Sequence, residues 1–436
     1  MDANVEVKVY KRRFLMLFLS IMNTGLIEFQ ASMYTSIASV IHDFYSISYV
    51  IVMFTSTIFT ITFVFLCYLT LRSMTKYGLR HAYVIASFFS ALGASVKCLG
   101  PSQHNFLIIM SGQFIVAIGK CFIATSTPML VANWFKSDES ATVIGIEVGT
   151  LMLAGMVTFW LPSLLFKESD VRIADHLKLI NMIVVFLTTT CFVLMVCSIE
   201  EKPKLPPTLS QKRKVEQTEK LPLKALLKNR DYVLFSMSLI LSLTFDTTLG
   251  TLLNQIIYST FQRASLVETI IGTLLMGFGF VGSICIPIIL DKFKKFKLIT
   301  YIIFSLAVTL FSLIHTCIWL KQEVLLYVVF AFFGFFFYGR YGVLVDIVTE
   351  VTYPYPQNIV FGIQSFIKCI LTAFSVPALS SLIDHFGINF AFFFLNSLLA
   401  LSFLLLIFAK WDLKRNKEES RDLVSEDESV TEEIGP

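Results

Sequence analysis

The fold that the sequence predicts is an all-α membrane protein of twelve transmembrane helices in two pseudo-symmetric six-helix bundles. Three observations predict it. The 436-residue chain is 56% hydrophobic and only 15% charged, with a mean hydropathy of +0.74, where a soluble domain carries about 25% charged residues. Twelve stretches come close to or exceed the ~20 apolar residues needed to cross a bilayer. They divide six and six around a long polar segment, Glu200 to Asp231, rich in Lys, Pro and Gln.

In chain order, residues 1–13 form a polar N-terminal segment closed by Lys11-Arg12-Arg13. The run that follows is far longer than a signal-peptide core, so it reads as a retained membrane helix. The first bundle, 14–199, holds spans near 14–41, 47–71, 82–100, 106–131, 141–165 and 179–199. Residues 200–231 are a linker with an interfacial helical portion near Leu221–Leu227. The second bundle, 232–410, holds spans near 232–258, 268–290, 298–320, 324–350, 359–382 and 388–410. Residues 411–436 are an acidic, disordered tail in which Ser425 and Ser429 are candidate phosphorylation sites.

Charge sets the orientation. Of the 35 Lys and Arg, 26 fall on the N-terminal side of the spans and 5 on the other, the remaining 4 lying within helices. By the positive-inside rule both termini are cytoplasmic; the expected location is the plasma membrane rather than an organelle. Eight cysteines are scattered singly in apolar runs with no CxxC or Cys/His cluster, so no metal site, cofactor or disulfide framework is expected. No P-loop, HExxH or GxSxG motif is present, which argues against an enzyme or an ATP-driven pump. Nothing points to nucleic acid.

The informative residues are charges near the middle of spans. Glu28, Lys120, Asp246 and Arg340 lie in the first, fourth, seventh and tenth. Each costs about 3 kcal/mol at the centre of a bilayer, so such groups face a water-filled cavity or each other. Glu28 corresponds to Asp246 and Lys120 to Arg340 when the halves are superposed by order. Glu147 and Lys368, on the fifth and eleventh spans, add a second pair of opposite sign. The functional reading is a site where Lys120 and Arg340 hold an anionic group and Glu28 and Asp246 a cationic one. The competing reading is a set of ion pairs that only tie helices together. One of the acids is also the candidate carrier for a coupled proton. Lys97, at the end of the third span, reads as a residue snorkelling to the interface. Asp346 and Glu350, near the cytoplasmic end of the tenth, read as gate residues pairing with loop basics.

Two loops in equivalent positions look alike: Arg72-Ser-Met-Thr-Lys76-Tyr-Gly78-Leu-Arg80 and Asp291-Lys-Phe-Lys-Lys-Phe-Lys297. Both resemble the short basic loop of the major facilitator superfamily, with Thr75 where an acid is usual and no glycine in the second. The resemblance implies gating roles for Gly78, Arg80 and Asp291. It also implies that the fifth and eighth spans, carrying Gly145-xxx-Gly149 and Gly279-xxx-Ser283, meet where the bundles rock on each other.

Within that superfamily, several segments resemble the feline leukaemia virus subgroup C receptor family. They include Tyr10-Lys-Arg-Arg13, Tyr77-Gly-Leu-Arg80, Gly93-Ala94-x-Val96-Lys97, Gly112-Gln113, Trp134-Phe135, Glu201-Lys202-Pro203-Lys204, Thr251-Leu-Leu-Asn254 and Glu350-Val-Thr-Tyr353-Pro354. The likeness runs in order through most of residues 10–410. It implies transport of choline and ethanolamine, with haem an older attribution, although only His315 among the histidines lies inside a helix as a candidate ligand. It also implies an aromatic cage for a quaternary ammonium, but the matching positions here are Ala31 and Thr247. Pocket glutamines of the family fall on Lys120 and near Cys369, and Arg340 stands where an aromatic is expected. The expectation is therefore a monomeric secondary transporter of a small polar organic solute working by alternating access. The charges and the missing cage favour a zwitterionic or anionic solute, such as an amino acid or carboxylate, over choline. The alternative is a receptor-like or regulatory membrane protein that keeps the fold without transporting.

Overall fold

A computed structural model describes residues 10–102, 105–123, 126, 130, 133–135, 140–166, 172–203, 228–261, 264–293, 296–352, 355 and 357–411. The linker helix expected near 221–227 and the tail beyond 411 lie outside the described residues, as do the side chains of Thr75, Asp291, Asp346 and Glu350.

The regular elements among the described residues are helices, the form in which an apolar segment satisfies its own backbone inside a bilayer. In the N-terminal half they are α1 (Arg12–Ser36), α2 (Ala38–Tyr45), α3 (Tyr49–Lys97), α4 (Phe106–Ile123), α5 (Ser140–Leu165) and α6 (Ile173–Ser198). The C-terminal half holds α7 (Arg230–Tyr258), α8 (Ala264–Phe293), α9 (Phe296–Trp319), α10 (Glu323–Thr352), α11 (Gln357–Phe386) and α12 (Ile388–Phe408). The expected first span breaks at Ile37 (φ −119°, ψ 33°), which separates α1 from α2. The expected second and third spans run together as α3, interrupted at Gly78 with φ +82°. That left-handed backbone is open to glycine and strained for other residues. A Cβ at Gly78 would also collide with the Glu201 carboxylate.

Among the described residues, ten helical segments are long and apolar enough to span a membrane; the 79–97 arm of α3 and the helix α5 complete twelve. The outer surface is greasy, with Phe65, Phe186 and Phe374 exposed by 79, 71 and 74%. In water this would be an aggregation surface, and in a bilayer it is solvated.

The halves touch most extensively along two seams, α3 against α11 and α5 against α8, and α7 also meets α1, α2 and α3. The second seam is the one the sequence led us to expect, but its small residues are used differently. Gly149 does face α8, where a Cβ would lie 2.7 Å from the ring of Phe280. Gly279 faces Tyr338 of α10 instead, so it packs the C-terminal half internally. The α8 glycine at the junction is Gly272, whose missing side chain makes room for Phe159 of α5.

Let the end where α1 begins be proximal and the opposite end distal. Proximally each half has its own apolar core: Met16, Leu79, Tyr83 and Met195 in one, Phe235, Leu290, Phe304 and Val348 in the other. Distally a single cluster runs through both, from Tyr34, Ile37 and Phe159 to Leu253, Val267 and Ile383. Among the described residues the apolar core is thus shared between the halves distally and separate in each half proximally, with the Phe63, Cys67, Cys121 and Cys369 cluster bridging α3 and α11 between them.

Candidate functional site

The midspan charges lie where the shared distal core gives way to two separate ones. Helical register sets each of them on an inward face, and the neighbours determine what each charge can do.

Lys120 of α4 reaches Glu28 of α1, with Nζ 2.7 Å from Oε2 and the two side chains 35% and 28% exposed. The same ammonium lies 5.4 Å from the centroid of Phe59. This cation is therefore already answered within the N-terminal half. Asp246 of α7 is half-buried and accepts a 2.7 Å hydrogen bond from the hydroxyl of Tyr338 on α10.

Arg340 does not line the cavity. It is 2% exposed, stacks on Phe337 with Cζ 3.9 Å from the ring centroid and on Phe304 at 4.9 Å, and donates to Ser242 Oγ. Its Nε has no acceptor. Two aromatic faces stand in for water around this guanidinium. The placement expected for it, on the wall of the cavity, is thus corrected: the side chain is withdrawn into the C-terminal core.

The expected Glu147 and Lys368 pair does not form as a direct contact. Glu147 is buried against Ser20, whose hydroxyl donates to it at 2.6 Å and also meets Tyr83 at 2.7 Å. Lys368 of α11 is half-buried and makes no hydrogen bond or ion pair with any described residue, while its charge acts on both Glu28 and Asp246. Its neighbour Cys369 turns the other way and packs with Phe63, Cys67 and Cys121 in the α3 to α11 seam. Ala31 is 3% exposed and sits in the N-terminal core beside Phe59, offering a ligand almost no surface. Thr247 is half-buried, its hydroxyl returned to the Leu243 carbonyl at 3.0 Å.

Lys97 is a second correction. It is 2% exposed and points inward, donating to Gln30 Oε1 at 2.8 Å and Gln113 Oε1 at 3.1 Å, 5.8 Å from the Tyr34 centroid. Gln30 also donates to Ser90, and Asn181 bridges Tyr34 and the Lys97 carbonyl. This buried network joins α1, α3, α4 and α6.

At the proximal face Gly78 and Arg80 fold around Glu201, whose Oε2 accepts from the Arg80 backbone at 2.9 Å. Arg12 pairs with Glu200 at 2.8 Å. These contacts stay inside the N-terminal half. The distal face carries residues to which sequence reasoning assigned no role. Asn254 of α7 accepts from Ser39 N at 2.9 Å and donates to the Ser36 carbonyl at 3.0 Å, joining the halves. It also donates to Glu268 Oε2 of α8 at 2.6 Å. The Thr251-Leu-Leu-Asn254 motif contains Asn254; Glu268 gave no signal beyond an acid at the edge of a span. No group of three His, Cys, Asp or Glu that could hold a metal ion is found among the described residues.

The comparisons agree on the architecture. The sequence profile described as Major Facilitator Superfamily matches residues 14–376. An uncharacterized MFS-type transporter of Caenorhabditis elegans is 28% identical over 428 residues, 96% of this chain and 72% of its own length. The choline/ethanolamine transporter flvcr2a of Danio rerio is 25% identical, covering 98% of this chain and 94% of its own. Among solved structures, that of the D-xylose-proton symporter superposes with a TM-score of 0.72 over 91% of this chain and 97% of its own, at 12% identity. At that identity the likeness speaks for the fold alone.

Proposed function

The chain belongs to the Major Facilitator Superfamily, with relatives in its choline/ethanolamine transporter branch, and from that premise we propose that its cargo is a small zwitterionic organic solute. It is a multi-pass integral membrane protein and a secondary transporter, so the questions are what it carries and from which side. Alternating access in this fold comes from one bundle rocking on the other around a central site. The apolar core shared at the distal end supports a conformation open toward the proximal side, which is the cytoplasmic side if both termini are cytoplasmic as the basic loops indicate.

One observation carries the choice of solute. Lys368 is a half-buried cation with no bonded partner among the described residues, in the same electrostatic field as Asp246. With Lys120 bound to Glu28 and Arg340 withdrawn, the described residues offer one available cation, Lys368, and one available anion, Asp246. An amino acid would place its carboxylate on Lys368 and its ammonium on Asp246. Asp246 is also the acid we assign to proton coupling, because Glu28 is held by Lys120; uptake that is flat with pH would reject that assignment.

A second reading is choline or ethanolamine, favoured by the zebrafish relative that carries that name. The two readings give opposite signs for one variant. In proteoliposomes, Lys368→Ala removes an attraction for a zwitterion and a repulsion for choline. We expect Lys368→Ala to raise KM for the transported amino acid about 10- to 100-fold, the worth of a hydrogen bond to a charged group. A fall in KM for choline, with no amino acid carried by the wild type, would replace the zwitterion reading with the choline one.

A further inference from the structure

Glu268 is 4% exposed, and only one of its two carboxylate oxygens is satisfied. Oε2 accepts from Asn254 at 2.6 Å, whereas Oε1 is buried with no donor. An ionised carboxylate in this position has lost its water and gained a single hydrogen bond, an arrangement that costs free energy unless a donor arrives. Glu268 lines a small, partly open cleft at the distal end, together with Ser36, Val40, Phe159, Phe166, Tyr258 and Thr269. The cleft lies between α1 and α2 on one side and α7 and α8 on the other, with α5 closing one wall. Asp43 and Asp384 act on Tyr49 along with Glu268, His42 and His176 pack nearby on Tyr49 and Phe166, and no Lys or Arg is among the described residues that line the cleft. Asp384 is engaged by Gln255 at 2.8 Å, which leaves Glu268 Oε1 as a buried, unpartnered carboxylate oxygen beside the cleft.

We propose that this distal cleft is a binding site for a primary ammonium group, which donates to Glu268 Oε1 beside the rings of Phe159, Phe166 and Tyr258. An acceptor without a donor selects an N–H cation over a quaternary one, and the aromatic lining adds cation–π attraction for either. The inference deepens the zwitterion reading, since it presumes a solute bearing an ammonium that meets Glu268 before it meets Asp246. Glu268 also holds Asn254, which in turn holds the α1 to α2 junction. Solute arriving at the cleft therefore touches the group that keeps the distal seam closed.

The test uses the purified full chain and methylammonium chloride as probe, with sodium chloride at matched ionic strength. Thermal stabilisation is measured against probe concentration in the Asp246→Asn background, which removes the central cation site. We expect saturable stabilisation there. Adding Glu268→Gln should weaken the apparent affinity about 10- to 100-fold, and tetramethylammonium should bind Asp246→Asn at least about tenfold more weakly than methylammonium. Thr269→Lys, which puts a cation in the cleft and leaves the Asn254 to Glu268 bond in place, should abolish the response even if Glu268→Gln proves unstable. Loss of all response in Asp246→Asn alone, or an unchanged response in Thr269→Lys, would overturn the distal site. Neither result bears on the central cavity, whose failure would appear as zwitterion uptake insensitive to Asp246→Asn.

Discussion

Lys120 and Glu28 form an ion pair at 2.7 Å between α4 and α1, so the N-terminal half neutralises its own midspan charges. The C-terminal half forms no such direct pair among the described residues: Asp246 accepts from a tyrosine hydroxyl, and Arg340 rests on aromatic rings and donates to Ser242. This asymmetry departs from the pseudo-symmetry seen in the order of charges along the chain. On the zwitterion reading proposed above, it leaves Asp246 and Lys368 as the charges for a solute to meet.

The pair should show itself as a coupling energy. Lys120→Gln strands Glu28 in a cavity that water partly reaches, with the two side chains 35% and 28% exposed. The loss should be about 1–2 kcal/mol, below the cost at a fully buried pair. Adding Glu28→Gln should recover most of it. A thermal-unfolding double-mutant cycle with strictly additive single effects would remove the pair from the account of stability.

Arg340 inverts the usual idea of a conservative change. Arg340→Lys keeps the charge but loses the planar stack on Phe337 and Phe304, and should destabilise by about 1–3 kcal/mol. Arg340→Met removes a buried, incompletely bonded charge and should stay within about 1 kcal/mol of the wild type. Because the side chain does not line the cavity, KM for the solute should change less than about fivefold in Arg340→Met, a change worth about 1 kcal/mol. A large rise in KM with stability intact would return Arg340 to the binding site.

The spans, the two-bundle layout and the family resemblance were legible because each rests on runs of residues: twenty apolar positions in a row, or motifs in order. Direction across a helix bundle was not. Lys97 sits near the end of a span, where snorkelling is the ordinary outcome, but its partners Gln30 and Gln113 come from other helices and no local pattern announces them. Glu147 and Lys368 have opposite signs at matching depth, and yet Ser20 takes the first. Gly279 reads like a junction glycine, and only the register of α8 turns it toward Tyr338. Glu268 looks like an interfacial acid until Asn254 and the shared distal core enclose it.

The α5 to α8 seam makes Gly149 a sensitive position. A Cβ there would sit 2.7 Å from Phe280, so the ring must yield before any larger side chain fits. Gly149→Leu should reduce uptake about 5- to 150-fold, since overpacking of a close helix contact costs about 1–3 kcal/mol. Phe280→Ala in the same molecule should restore much of the rate by returning the space. Normal uptake by Gly149→Leu alone, in protein shown to be folded, would remove this contact from the rocking interface.

Asn254 offers the most direct handle on which side of the molecule is open. Its side chain accepts from Ser39 N and donates to the Ser36 carbonyl, and no residue of that size beyond an amide can do both. Asn254→Ala breaks both bonds across the halves and frees the second oxygen of Glu268. At about 0.5–1.5 kcal/mol for each bond, the balance between distally closed and distally open forms should move about 5- to 150-fold toward the open one. Hydrogen–deuterium exchange should rise across residues 36–47, where the α1 to α2 junction loses its anchor, and stay unchanged in the proximal core around Met195. Asn254→Asp keeps an acceptor for Ser39 N but loses the donor and sets a second acid beside Glu268, so it should open the distal end at least as far. Exchange at 36–47 equal to wild type in both variants would show that packing of Ile37 and Phe159, not this amide, closes the distal end.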